Sequence, residues 1–101
     1  MRREMITTAA GIATALLQTI SHAEVDAKLA EGEAKQHGCL VCHAVDKQKV
    51  GPSYQSVSTK YKGKGVADVI GSMKKLPVHE GVLKKTNDPE LKLIGEWILT
   101  F

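Results

Sequence analysis

The sequence has few cysteines, few aromatic residues and little net charge. Two of its 101 residues are cysteine and four are aromatic. Fourteen basic residues stand against eleven acidic ones, an excess that is too mild for a nucleic-acid-binding protein. The alternation of apolar and polar residues that indicates strands is missing, as are internal repeats and low-complexity tracts. At this length we therefore expect one domain.

The N-terminal segment has the features of a secretory signal. It begins with two arginines, and an uncharged apolar run extends from Met5 to about Ile20. Ser21 and Ala23 place small residues at positions −3 and −1 of a cleavage point. We predict a signal peptide over residues 1–23. The alternative is a retained membrane anchor, for which the run is short.

The segment from Cys39 to His43 reads Cys-Leu-Val-Cys-His, which is the C-x-x-C-H attachment signature of a c-type haem. Two thiols one helical turn apart can add to the two vinyl groups on one edge of a porphyrin. The imidazole that follows is then held under the iron as its proximal ligand. The sequence therefore predicts one haem c, covalently bound through Cys39 and Cys42, with His43 on the iron.

Three other interpretations compete for the two cysteines. A structural zinc site would need two histidines at suitable spacing, and no His-x3–5-His pair follows the motif. A thioredoxin-like redox pair normally opens a helix after a strand, and no strand is indicated. A disulfide across two intervening residues would close a loop too short to stabilise much.

Cleavage after Ala23 would leave residues 24–101, which we predict as the functional domain. These 78 residues are marginal for an unaided core, and a covalent haem would supply the missing apolar bulk. Export would also place Cys39 and Cys42 in an oxidising compartment, where they must stay reduced until haem is added.

Periodicity and capping residues predict four helices. The first combines small residues, Ala27, Ala30, Gly32 and Ala34, which would let another helix cross closely, and Gly38 ends it. Proline and glycine are expected to keep the loop 75–86 irregular. The helices cover about Val25 to Gln36, Tyr54 to Tyr61, Val66 to Lys74, and a span from Asn87 or Asp88 to about Thr100.

A Gly51-Pro52 pair follows His43 by nine residues and marks a turn. The carbonyl group of Pro52 could accept a hydrogen bond from the free ring nitrogen of His43, which would fix the tautomer of the imidazole. The alternative is a plain turn with no further role.

With these flanks, residues 24–101 resemble the small bacterial monohaem class I cytochromes c. The likeness rests on residues 38–43 around the motif, Val50 to Tyr54, and Glu96 to Leu99 in the last helix. The resemblance implies an all-α fold of four to five helices around one covalently bound haem c. It implies that the first and last helices cross, near Gly32 on one side and Leu93 and Trp97 on the other. It also implies that Pro52 orients the haem histidine.

The sixth iron ligand departs from the family pattern. The family supplies a methionine from the loop before the last helix, but here that loop contains none. His79 lies in the loop where the methionine would be. Met73 is the family-type donor, but it completes the apolar stripe of a helix, as core methionines do. The prediction is His79, with Met73 or a five-coordinate iron as alternatives; His22 and His37 are taken as uninvolved.

The resemblance implies a soluble periplasmic one-electron carrier that is not an enzyme, without stable membrane insertion after signal cleavage. The alternative is a haem-based binder or sensor of small ligands such as gases, with a displaceable sixth ligand. The expected partners are redox proteins with acidic docking surfaces, recognised by lysines near the haem edge. These are Lys47, Lys49, Lys62, Lys64, Lys74, Lys75, Lys84 and Lys85.

Overall fold

The computed structural model describes residues 25–101, together with Gly11, so the predicted signal peptide lies outside the described residues. Residues 25–101 are helical and contain no strand, which confirms the all-α class. None of their helices is long and apolar enough to cross a membrane. The α-helices are α1 (Ala27–Gln36), α2 (Cys39–Cys42), α3 (Tyr54–Lys60), α4 (Val66–Lys74), α5 (Glu80–Leu83) and α6 (Asp88–Ile98), and a 3₁₀ turn (Pro77–His79) precedes α5.

The four predicted helices are α1, α3, α4 and α6, and a side chain of the preceding residue caps the start of α1, α3 and α6. Asp26 accepts a hydrogen bond from the backbone N–H of Leu29 at the start of α1. Asn87 and Glu90 form a reciprocal capping box at the start of α6, with donor–acceptor distances of 3.0 and 2.9 Å. Asn87, rather than Asp88, is therefore the cap.

The loop before α6 is more regular than the sequence suggested. The expectation of an irregular segment over residues 75–86 is wrong, because the 3₁₀ turn and α5 occupy Pro77–Leu83. Pro77 has a fixed φ and needs no N–H donor, so it suits the first position of a helical turn. With these two short elements and α2, the chain has more helical segments than the four to five expected.

The core lies where α1 crosses α6. Ala30 and Ala34, one turn apart on α1, are completely buried and pack in one cluster with Trp97 and Ile98. The close approach expected between these two helices is present, but the expectation that Gly32 lies at the crossing is wrong. Gly32 is exposed, because two residues beyond Ala30 the helix has turned to its opposite face.

A second close approach joins α4 to α6 at Gly95. A Cβ atom at this buried glycine would lie 2.6 Å from Cγ2 of Val66. Because position 95 has no side chain, the side chain of Val66 at the start of α4 packs directly against the backbone of α6. Leu93, which the resemblance placed at the crossing with α1, is only partly buried at the edge of the core.

His37, which we did not expect to bind the iron, joins the end of α1 to α6. Its side chain is only 9% exposed, and its Nε2 lies 3.2 Å from Glu33 Oε2 and 2.7 Å from Glu90 Oε2. Glu33 precedes it by one helical turn, a spacing visible in the sequence. Glu90 lies 53 residues away, a contact that only the fold reveals.

Acidification is expected to destabilise the protein through Glu90. The hydrogen bond from His37, reinforced by the backbone N–H of Asn87, holds the pKa of Glu90 below its usual range. A carboxyl group whose pKa is lower in the folded state adds stability above its ordinary pKa of about 4.3. That contribution is lost as the pH falls through the folded-state value.

Urea unfolding as a function of pH tests this expectation. The difference in unfolding free energy between wild type and Glu90→Gln should be largest near neutral pH and should disappear in acid. Glu31→Gln is the control, because Glu31 pairs with Lys35 on the exposed side of α1 and does not contact His37 or Glu90 in an ion pair. Parallel curves for wild type and Glu90→Gln would contradict the assignment.

Candidate haem site

The C-x-x-C-H motif begins at a sharp turn. Gly38 has φ of +79°, a left-handed conformation that glycine adopts without a steric cost, and it separates α1 from α2. Cys39 and Cys42 are the first and last residues of α2, one helical turn apart, and both are half-buried free thiols. Burial raises the pKa of the Cys39 thiol, which disfavours the thiolate form through which oxidation proceeds.

Backbone hydrogen bonds hold the Gly51-Pro52 turn against the end of the motif. The N–H of Gly51 donates to the carbonyl oxygen of Cys42 (2.8 Å), and the N–H of Tyr54 donates to that of Ala44 (2.9 Å). The turn is therefore fixed relative to His43, whatever the conformation of the exposed residues 46–50 between them.

His43 is held on two sides. Its Nδ1–H donates to the carbonyl oxygen of Pro52 at 2.7 Å, so the contact expected between these residues is present. The buried ring of Tyr54 stacks on the imidazole, with ring centres 5.4 Å apart. With the proton on Nδ1, the neutral ring has its lone pair on Nε2, the atom that can bind a metal ion.

His79 is oriented in the same manner by another element. Its Nδ1–H donates to the carbonyl oxygen of Met73, near the end of α4, at 2.8 Å. The lone pair is then again on Nε2. The Met73 side chain is half-buried, and its backbone oxygen rather than its sulfur contacts His79.

The two imidazoles, His43 and His79, lie close to each other across this site. Their ring centres are 6.2 Å apart and their planes differ by 21°. A metal–imidazole bond is about 2.0–2.1 Å long and the ring centre lies about 1.2 Å further on, so two imidazoles that bound one ion from opposite sides would have centres about 6.4 Å apart. The spacing therefore fits two axial nitrogen donors on one iron. The paired thiols on α2 fit the attachment of the same group.

Gly51 is the residue that sequence reasoning missed, although glycine before proline was a visible signal. A Cβ atom at this position would overlap Cε1 of His43 and lie 2.8 Å from both ring nitrogens. The absence of a side chain at position 51 therefore makes room for the imidazole, and the next residue supplies its hydrogen-bond acceptor.

Replacing Gly51 by alanine is expected to push the His43 ring out of place. Overpacking of this kind typically costs about 1–3 kcal/mol of unfolding free energy. Urea unfolding of the haem-bearing protein and its ferric absorption spectrum measure the two effects. Gly32→Ala is the control, because Gly32 is exposed and a Cβ atom there would meet no other atom within 4 Å, so this change should be neutral or slightly stabilising. An unchanged spectrum and stability in Gly51→Ala would contradict the role of the glycine.

Sequence comparisons identify relatives that the chain matches over most of their length. The chain is 36% identical over 76 residues to cytochrome c-551 of Azotobacter vinelandii, covering 65% of this chain and 89% of the relative. It is 35% identical over 80 residues to cytochrome c-552 of Hydrogenobacter thermophilus, covering 66% and 76%. No protein-family model matches the chain.

Among solved structures, the class 1 cytochrome MtoD from Sideroxydans lithotrophicus ES-1 is similar, with a TM-score of 0.64 and 33% identity. The match covers 75% of this chain and 96% of that one. This chain belongs to the small class I cytochromes c. The cytochrome accordingly has one haem c as its cofactor and is a monohaem electron carrier.

Proposed function

We propose that this cytochrome is exported to the periplasm after cleavage behind Ala23 and carries electrons there with two histidines on its iron. Cys39 and Cys42 would bind the haem, His43 would be its proximal ligand and His79 its distal ligand. The observation that carries the proposal is the pair of imidazoles 6.2 Å apart, each with its Nδ1–H fixed on a backbone carbonyl group.

When bound, the haem supplies an iron that alternates between the ferrous and ferric states and so accepts and donates single electrons. The protein's part is to keep the donors in place. The Pro52 and Met73 carbonyl groups fix the orientation of each ring, and through these hydrogen bonds they would make each imidazole a stronger donor to a metal ion. Iron ligands that keep their positions when the iron gains or loses an electron suit an electron carrier.

A pair of protein ligands also favours a carrier over an enzyme or a gas sensor. If His43 and His79 both hold the iron, a substrate or a gas could bind only by displacing one of them. The Met73 side chain is the alternative donor, and this second arrangement would keep the iron closed as well. We therefore propose that the cytochrome is not an enzyme.

The proposed partners are redox proteins with acidic docking surfaces. All eight lysines proposed for docking are exposed, and Lys74 and Lys84 form only exposed ion pairs, with Asp88 and Glu80, that an acidic partner can displace. Steering by such charges accelerates association and weakens as the ionic strength rises.

Mass spectrometry of the native protein tests the export and the attachment together. The expected mass is that of residues 24–101 plus one haem, with the haem retained through acid–acetone extraction. A haem that extracts would overturn the covalent attachment. If the native protein begins at Met1 and is bound to the membrane, the proposed cleavage is wrong and the cytochrome is membrane-anchored. That result would not bear on the proposed haem site.

A further inference from the structure

A second group of metal-ligand side chains lies away from the haem motif, where α1 meets α6. Glu33, His37 and Glu90 each point one donor atom at a common space, and these three atoms all lie within 4.8 Å of one another. Glu33 comes from α1, His37 is the residue that caps the C-terminal end of α1, and Glu90 comes from the first turn of α6. The established electron-carrier activity does not use these residues.

His37 cannot donate a hydrogen bond to both carboxylates of the group at once. Nε2 of His37 has at most one hydrogen, yet it lies near Oε2 of both Glu33 (3.2 Å) and Glu90 (2.7 Å). Only one of the two contacts can be a well-directed hydrogen bond. The two carboxylates also leave the group with net negative charge even when the imidazole is protonated.

A divalent cation in place of that proton would satisfy all three donors. Tetrahedral nitrogen and oxygen ligands about 2.1 Å from an ion are about 3.4 Å from each other. The observed contacts of 2.7 and 3.2 Å would need to widen by about 0.7 and 0.2 Å, which rotation of the partly exposed glutamate side chains can supply. The carboxylate side chains of Glu33 and Glu90 are 24% and 26% exposed, so an ion can enter and water can complete its coordination.

We propose that Glu33, His37 and Glu90 form a second metal site, which binds one divalent transition-metal ion of the zinc type and ties α1 to α6. An imidazole with two carboxylates suits borderline ions such as Zn²⁺. Mg²⁺ and Ca²⁺ prefer sites made of oxygen donors alone. The bound ion would cross-link the two helices that form the core.

Calorimetric titration of the haem-bearing, chelator-treated cytochrome with ZnCl₂ tests the site. We expect one Zn²⁺ per chain and no binding of Mg²⁺. Zinc should also raise the midpoint of thermal unfolding, because an ion that binds only the folded state stabilises it.

Three variants locate the ion. Glu33→Gln, Glu90→Gln and His37→Asn should each weaken zinc binding by at least about ten-fold, since each removes a ligand atom. Glu90→Gln retains an oxygen that can accept from the Asn87 N–H, so the helix cap survives. Glu31→Gln is the matched control, because it removes a carboxylate from α1 that faces Lys35 instead. It should bind zinc as the wild type does.

Two results would overturn the proposal. One is the absence of zinc binding up to about 0.1 mM, which would leave the group as an ion pair between helices. The other is a zinc affinity that survives all three substitutions, which would place the ion elsewhere. The haem absorption spectrum of each variant, recorded alongside, reports whether the haem site is intact and keeps this test independent of the proposed iron ligands.

Discussion

Replacing His79 by alanine is expected to turn the ferric cytochrome from low-spin to high-spin. The substitution removes the distal nitrogen that the Met73 carbonyl group orients, so water or added imidazole can occupy the open position. Absorption spectra of the ferric protein, with and without imidazole, measure the change. Because the wild type would have two imidazoles on its iron, its reduction potential should lie below that of histidine–methionine members of the family.

Met73→Leu is the control for this experiment. It retains the backbone carbonyl group that contacts His79 and removes only the thioether, so the iron should stay low-spin. The wild-type ferric spectrum should also lack the weak band at the red edge that thioether ligation gives. If Met73→Leu opens the iron and His79→Ala does not, Met73 is the ligand and the assignment of His79 is wrong.

Replacing Trp97 by alanine is expected to lower the free energy of unfolding by about 3–5 kcal/mol, the usual range for a buried large-to-small change. Trp97 is 5% exposed and packs edge-on against Tyr54, with ring centres 5.5 Å apart. Tyr54 in turn stacks on His43. The cavity would therefore open directly behind the ring that supports the proximal histidine, and the loss should extend to the haem site.

Urea unfolding of the haem-bearing protein measures this loss, with Leu29→Ala as the control. Leu29 is 53% exposed on α1, so its truncation should cost less than about 1 kcal/mol. A loss of under about 1 kcal/mol in Trp97→Ala would show that α6 does not depend on the indole for its packing.

The longer helices were predictable because local signals determine them. Val66, Val69, Ile70 and Met73 recur at helical spacing, and α4 begins and ends where that pattern does. The capping pair of Asn87 and Glu90 similarly marks the start of α6. The 3₁₀ turn and α5 were missed, because elements of three or four residues are too short to show a period.

The site was only partly predictable, for a different reason. Cys39, Cys42 and His43 are adjacent in the sequence, so their spacing alone indicated the chemistry. The contact of His37 with Glu90 depends on how distant segments pack. The nearness of His79 to His43 was expected only from the place that the resemblance gives the sixth ligand. No periodicity indicates such contacts. The contact that His37 makes between the helices was missed, because burial against a second helix cannot be deduced from one helix alone.

The backbone hydrogen bonds between the motif and the Gly51-Pro52 turn have a consequence for how this cytochrome can diversify. They join Cys42 to Gly51 and Ala44 to Tyr54 through main-chain atoms, so they do not depend on the side chains of residues 46–50. That exposed segment carries two of the lysines proposed for docking. Its composition can therefore change to suit a new redox partner while the imidazole of His43 keeps its position. The choice of partner and the chemistry of the iron can thus evolve separately.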